Sequence, residues 1–324
     1  MSDETHPHDL LAAAVPVRLP AAELRELSRI DPARAVGAIA AEWTAILATI
    51  ALATWIDHPV ATLLAIPVIG ARQHALLILA HDASHFRLLP DRRTNDLVGN
   101  LFLSWPMFAS VQGFRHFHAP HHRHLQGEGD GNRELWGTHD ADGQLAAEWR
   151  YPKSRSDLAW TLLRRVGGGT GLWWILRGVV GGFAYGMTPF DRLLRATFML
   201  AVAAVLTATS SWTTFALYWV LPYCSWHLLI QYVRLICEHS NVQAEPGVWS
   251  LTRTTVPTAW EALFVLPRGI GYHIEHHWYP SVPFYRLGEL HARLMQEPAF
   301  RSQANISTSV LGSLAEVTAT PSGS

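Results

Sequence analysis

Four stretches of the chain are apolar almost without interruption. The first runs from about Ala35 to Ile56 and is broken by Asp57-His58-Pro59. The second runs from about Pro59 to Ala80, with Arg72 and His74 inside it. The third covers about Leu193 to Thr209, the turn Ser210-Ser211-Trp212 follows, and the fourth covers about Thr213 to Ile236. A helix crosses the hydrocarbon core with about 20 apolar residues, so the pattern predicts four spans at 35–56, 59–80, 193–209 and 213–236. Two weaker stretches, 97–111 and 172–187, contain Pro, Gly or Arg and read as interfacial or re-entrant segments. Lys and Arg are missing from 35 to 71 and from 196 to 233, and from both short turns. Basic residues mark the cytoplasmic side. The expected fold is therefore an all-α integral membrane four-helix bundle, with both termini and every long loop cytoplasmic. Residues 1–34 read as an N-terminal cytoplasmic tail, 35–300 as the membrane domain and 301–324 as a C-terminal tail, with 1–15 and 305–324 loose. The polar N-terminus shows no cleavable signal peptide.

Composition agrees with that picture. Charged residues are 16% of 324 and hydrophobic residues 49%, against about 25% charged in an average soluble domain. The net charge of −1 lacks the basic excess of a nucleic-acid binder, and the apolar content excludes a disordered chain. Two cysteines, Cys224 and Cys237, exclude a disulfide framework and any four-cysteine metal site.

Histidine is what stands out. Ten of 18 histidines fall in windows 81–85, 116–124 and 273–277. His81 and His85 stand at i and i+4, on one face of a helix. His118-Ala-Pro-His121-His122 and His273-Ile-Glu-His276-His277 both read HxxHH, and an adjacent pair suits a bridgehead between two ions. All three windows fall on the cytoplasmic face of the predicted bundle. Imidazole ligation selects Zn, Cu, Fe or Ni over Mg or Ca. HExxH is absent, so a zinc protease is unsupported, and two iron ions need a ligand set of this size.

The segments GARQHALLILAHDASH (70–85), FRHFHAPHHRH (114–124), RLICEHSN (234–241) and GYHIEHHWYPSVPFYRL (271–287) resemble the membrane fatty acid desaturase and hydroxylase superfamily, in its bacterial desaturase-like branch. That resemblance implies a helical cytoplasmic cap holding a non-haem di-iron site, with O2 as co-substrate. The ligands carried over are His81, His85, His118, His121, His122, His239, His273, His276 and His277. It further implies a fatty acyl desaturase working on a lipid or acyl substrate, with hydroxylation on the same scaffold as the alternative. No haem motif, CxxC or GxGxxG is visible, so electrons are expected from an external ferredoxin- or rubredoxin-like donor with its reductase. A metal transporter is the remote alternative, but it would place metal-binding groups in mid-membrane on facing helices.

Some positions depart from the family pattern. Pro120 lies inside the second box and predicts a helix that begins there, with His116 and His124 as substitutes for His118. Leu235 stands where acyl-CoA desaturases have an Asn. Carboxylates that accept the outer N–H of a bound imidazole orient it, and Asp82, Asp130, Glu238 and Glu275 are the candidates. Glu238 is equally placed to pair with Arg234 at i, i+4. His74, on the same helical face as His81 but deeper in the membrane, is expected beside the ligands or lining a cavity.

Overall fold

The computed structural model describes residues 15–240, 249 and 251–318. Among these the chain is mostly helical, with one two-residue parallel strand pair, Thr254–Thr255 (β1) against Ile306–Ser307 (β2).

Helix α1 is Pro32–Ile56 and α2 is Pro59–Ser84. Both begin with proline in the first turn, where its missing N–H costs no hydrogen bond. Asp31 caps α1 by accepting from the backbone N–H of Ala33, and the His58 ring caps α2 by accepting from Val60 N–H. Asp57 closes α1 in the left-handed region (φ 46°), so the expected break falls where Asp57-His58-Pro59 stands. These two helical stretches are long and apolar enough to cross a membrane. Helix α2 runs one turn beyond the predicted span, to Ser84, and carries His81 out of the apolar stretch.

Helix α3 is Val111–Arg123, capped by Ser110. Helix α4, Pro189–Ala208, starts on a capping box formed by Thr188 and Asp191. After the turn at Ser210 the chain is helical again from Trp212, passes through two π-helical turns (Ala216–Val220 and Tyr223–His227), and continues as α5, Leu228–His239. A π turn inserts one extra residue and turns the face that follows it. Helix α6, His273–Trp278, is only six residues long and fully buried.

Apolar packing divides the molecule. One core joins α1, α2 and the segment around Leu103, Met107, Tyr218 and Trp219. Away from it, Trp55, Leu63, Leu200 and Val205 are more than half exposed. Single exposed apolar residues are ordinary, but this many on adjoining helices form a surface suited to lipid. A second core seats Val15, Val17, Leu19 and Leu27 on Trp278, Leu290 and Phe300. A buried ion cluster ties α1 and α2 to the C-terminal part of the chain. Arg72 of α2 reaches Glu42 of α1 at 3.1 Å, and Arg268 reaches the same carboxylate at 2.7 Å.

Two expectations are corrected here. Helix α3 does not begin at Pro120; it runs continuously from Val111, with Pro120 inside its last turn. The Ser110 cap and the burial of Val111, Phe117 and His118 hold the preceding turns, so one lost hydrogen bond does not end the helix. The stretch 306–317, expected to be loose, is packed. Val256 N–H donates to Ser307 carbonyl at 2.8 Å, and Val310 and Val317 are buried against α5 and its neighbours. Its apolar residues are too few to form an element alone and find their cover only in the fold. Residues 1–14 and 319–324 lie outside the described residues.

Candidate metal centre

Nine imidazoles from four segments meet at the ends of α2, α3, α5 and α6. They form two groups. His81, His85, His118, His122 and His276 make one; His121, His239, His273 and His277 make the other. Within each group the ligating atoms lie within 4.8 Å of one another.

Helical spacing explains the split. His118 and His122 share one face of α3 at i, i+4, and so do His273 and His277 on α6, as do His81 and its helix cap His85. The middle member of each HxxHH box, His121 or His276, projects off that face and serves the other group. Each adjacent pair therefore straddles the two groups, and the His122 and His277 rings stack across the divide at 4.2 Å.

These residues fit a pair of metal ions. His122 Nε2 lies 3.0 Å from the Nε2 of both His118 and His276. His273 Nε2 lies 2.9 Å from His239 Nε2 and 3.1 Å from His277 Nε2. A ring nitrogen offers one hydrogen or one lone pair in its plane, so it cannot satisfy two such neighbours by hydrogen bonding. Neither ring nitrogen of buried His81 has a hydrogen-bond partner among the described residues. Two donors each about 2.1 Å from one ion, at right angles, lie about 3 Å apart. Burial, and next the adjoining imidazoles, hold His118, His122, His273, His276 and His277 well below the usual histidine range. Neutral rings with inward lone pairs are what a metal requires.

The four carboxylates differ. Asp130 accepts from His121 Nδ1 at 2.8 Å, which leaves Nε2 as the inward donor. Burial pushes Asp130 up, but the hydrogen bonds from His121 and from the backbone of Asn132 and Gln126 together hold it below the usual carboxylate range. Glu238 binds Arg234 at 2.6 Å and presents the same oxygen to His273 Nδ1 at 3.5 Å. Asp82 accepts from Phe284 N–H at 2.8 Å and sits 4.0 Å from His81 Nδ1, so it ties α2 to the C-terminal region rather than orienting the ring. Glu275 bonds Thr254 and His291, each at 2.5 Å, and faces away from both groups. Its burial under β1 decides that, and sequence adjacency to His276 does not. His74 joins neither group; its ring packs 5.7 Å from His227. His116 stacks on Tyr185, away from the site, and His124 caps α3.

Among the described residues, cavities adjoin the centre on several sides. One of about 430 Å³ reaches His81 and is lined mainly by apolar side chains, among them Leu77, Met107, Phe114 and Trp174, with Arg177, Arg234, His227 and Gln231 among its polar members. A second, about 580 Å³, touches His85, His118 and His122 beneath residues 15–24. A third, about 250 Å³, is more polar and touches His121 and His239. His227 and Asn132 line these cavities without having stood out in the sequence. His227 was visible as a polar residue inside an apolar span; Asn132 carried no signal.

The chain matches the fatty acid desaturase family over residues 57–307. It belongs to that family. It is 26% identical to the dihydrorhizobitoxine desaturase of Bradyrhizobium elkanii, over 86% of this chain and 81% of that one. It is 24% identical to the sn-1 oleoyl-lipid 12-desaturase of Anabaena variabilis, over 74% of this chain and 69% of that one. The protein is thus a desaturase-family oxidoreductase, and its histidine groups lie inside the matched region.

Proposed function

We propose that this desaturase-family protein is an O2-dependent, non-haem di-iron membrane enzyme that introduces a double bond into the alkyl chain of a lipid or acyl substrate. Electrons come from an external donor, a ferredoxin or rubredoxin with its reductase. One observation carries the reading: nine buried imidazoles converge in neighbouring groups of five and four. A structural ion such as zinc is satisfied by about four ligands. His81, His85, His118, His122 and His276 hold one iron; His121, His239, His273 and His277 hold the other. When bound, the irons supply O2 activation and removal of hydrogen from an unactivated C–H bond.

The chain's residues do the positioning. The cavity at His81 takes the alkyl chain, and its apolar lining excludes water and presents one methylene to the five-imidazole group. Asp130 fixes the His121 ring in the tautomer that ligates. Its turn and the polar cavity beside it give the four-imidazole group a hydrated side.

In this reading α4 and the helix from Trp212 to His239 join α1 and α2 as four spans. Exposed Leu200 and Val205 on α4 support it, as do the turns at 57–58 and 210–212, which lack Lys and Arg. The termini and the histidine groups then face the cytoplasm of a bacterial inner membrane, within a membrane domain of about 35–300 as read from the sequence.

The test is expression with a ferredoxin and its reductase, comparing lipid and small-molecule products with those of His276→Ala. A product lighter by two hydrogens, absent from the variant, is expected. A product heavier by one oxygen atom assigns hydroxylation on the same scaffold. Identical products from both chains overturn the reading.

A further inference from the structure

The two histidine groups are unequal, five imidazoles against four, and the shorter group has a further donor beside it. The Asn132 carboxamide nitrogen lies 3.2 Å from His121 Nε2. That is close to the spacing of 2.9 to 3.1 Å between the imidazole donors themselves. A half-turn of the carboxamide exchanges its nitrogen for its oxygen, which is a good ligand for a divalent ion.

The placement is built by a short turn. Asp130 Oδ1 accepts from both His121 Nδ1 and the backbone N–H of Asn132, each at 2.8 Å, and its Oδ2 accepts from Gln126 N–H at 2.9 Å. One carboxylate oxygen thus holds both the ligand ring and the backbone of Asn132. Gly131, between them, lies so close to α3 that a Cβ there would run into the Phe117 carbonyl. Glycine is required by that approach, and the approach brings Asn132 to the ring. Asn132 also lines the polar 250 Å³ cavity that reaches His121 and His239. The other carboxamide in this cavity, Gln126, is engaged with the carbonyls of His239 and Leu251 at 3.3 Å each.

The geometry points to Asn132 as the fifth donor of the four-histidine site, its carboxamide oxygen completing the set that the other site completes with a fifth imidazole. This rests on the proposed metal reading. Asn132 would then make the four-histidine site the weaker field of the two, because a neutral carboxamide oxygen is a poorer donor to iron than imidazole.

The test uses the full-length protein purified in detergent and loaded with ⁵⁷Fe(II). Asn132→Leu removes the donor at similar volume, and Asn132→Asp keeps an oxygen. Iron per chain is measured against a competing chelator, and the Mössbauer spectrum reports the two sites separately. The expected result is that Asn132→Leu binds one of its irons roughly 10–100-fold more weakly, in the range seen for weakened metal shells. The doublet it loses should be the one that His277→Ala loses. Asn132→Asp should retain both irons, with that doublet shifted. Two irons and an unchanged spectrum in Asn132→Leu overturn the inference and leave the metal reading intact. Loss of both irons in Asn132→Leu and Asn132→Asp alike also overturns it, since the turn would then be structural. An unsubstituted chain that binds no iron fails the metal reading itself.

Discussion

The two histidine groups use the same ligand chemistry in different surroundings. Around the five-imidazole group the rings are held by each other and by aromatic packing: His118 stacks on Phe114 at 4.9 Å, and His81 lies 5.9 Å from the same ring. Its nearest carboxylate, Asp82, is spent on the Phe284 backbone. Around the four-imidazole group, Asp130 bonds one ring and Glu238 faces another. The first group adjoins a mainly apolar cavity at His81 and a second one at His85, His118 and His122 that carries Arg18, Arg115 and Arg123. The second group adjoins a smaller cavity with more polar side chains. A carboxylate behind an imidazole raises its basicity and fixes its rotation. The two groups are therefore held by different means, one by aromatic packing and one by carboxylates.

Removing one ligand from each group tests the division most strongly. His276→Ala and His277→Ala should each abolish product formation, and each should lower iron to about one per chain, from a different site. Iron analysis and a Mössbauer spectrum check this. A variant that loses both irons at once would merge the two groups into one cooperative unit.

The carboxylates come next. Asp130→Asn should weaken iron at the four-imidazole group by roughly 10–100-fold, measured by chelator competition. Glu275→Gln should leave iron affinity unchanged, because that side chain bonds Thr254 and His291 instead. It should lower stability by about 1–3 kcal/mol through the buried hydrogen bonds it disturbs, read from thermal unfolding in detergent. If Glu275→Gln loosened iron as much as Asp130→Asn, the contrast drawn here would be wrong.

Acid acts on both groups at once. His118, His122, His273, His276 and His277 are held well below their usual range by burial and by one another. In the unfolded chain they titrate near pH 6.5. Above that value neither state is protonated and these rings have no effect on stability. Below it the unfolded state takes up protons that the folded state refuses, so stability falls as pH drops. The slope is on the order of 1 kcal/mol per pH unit for each such ring. Metal-free protein should lose thermal stability progressively below about pH 6.5, and iron-loaded protein should resist further into acid. A flat profile down to pH 5 in the metal-free protein would contradict the burial of these rings.

Much of the site could be read from the chain because its logic is local. An i, i+4 pair of histidines shares a helix face whatever the rest of the fold does, and HxxHH carries that pair plus one residue aimed elsewhere. The breaks at Asp57-His58-Pro59 and Ser210-Ser211 are equally local, being set by backbone geometry and proline. Sequence could not say that His121 leaves its own box for the group of His239, or that His276 leaves His273 and His277. Those assignments depend on how α3 and α6 face each other, 150 residues apart.

The outer contacts show the same limit. Asp130 is nine residues from His121, and the short turn brings it back. Glu275 is next to His276 yet turns to His291 and Thr254, because neighbours on a helix point in different directions. Periodicity, breakers and histidine spacing alone determined the apolar helices and the three histidine boxes, since each depends on a few consecutive residues. Tertiary packing alone decided the five-and-four division, the partner of each carboxylate, the position of Asn132 and the packing of residues 306–317. Those depend on contacts between distant segments, and no short stretch of sequence contains both sides of such a contact.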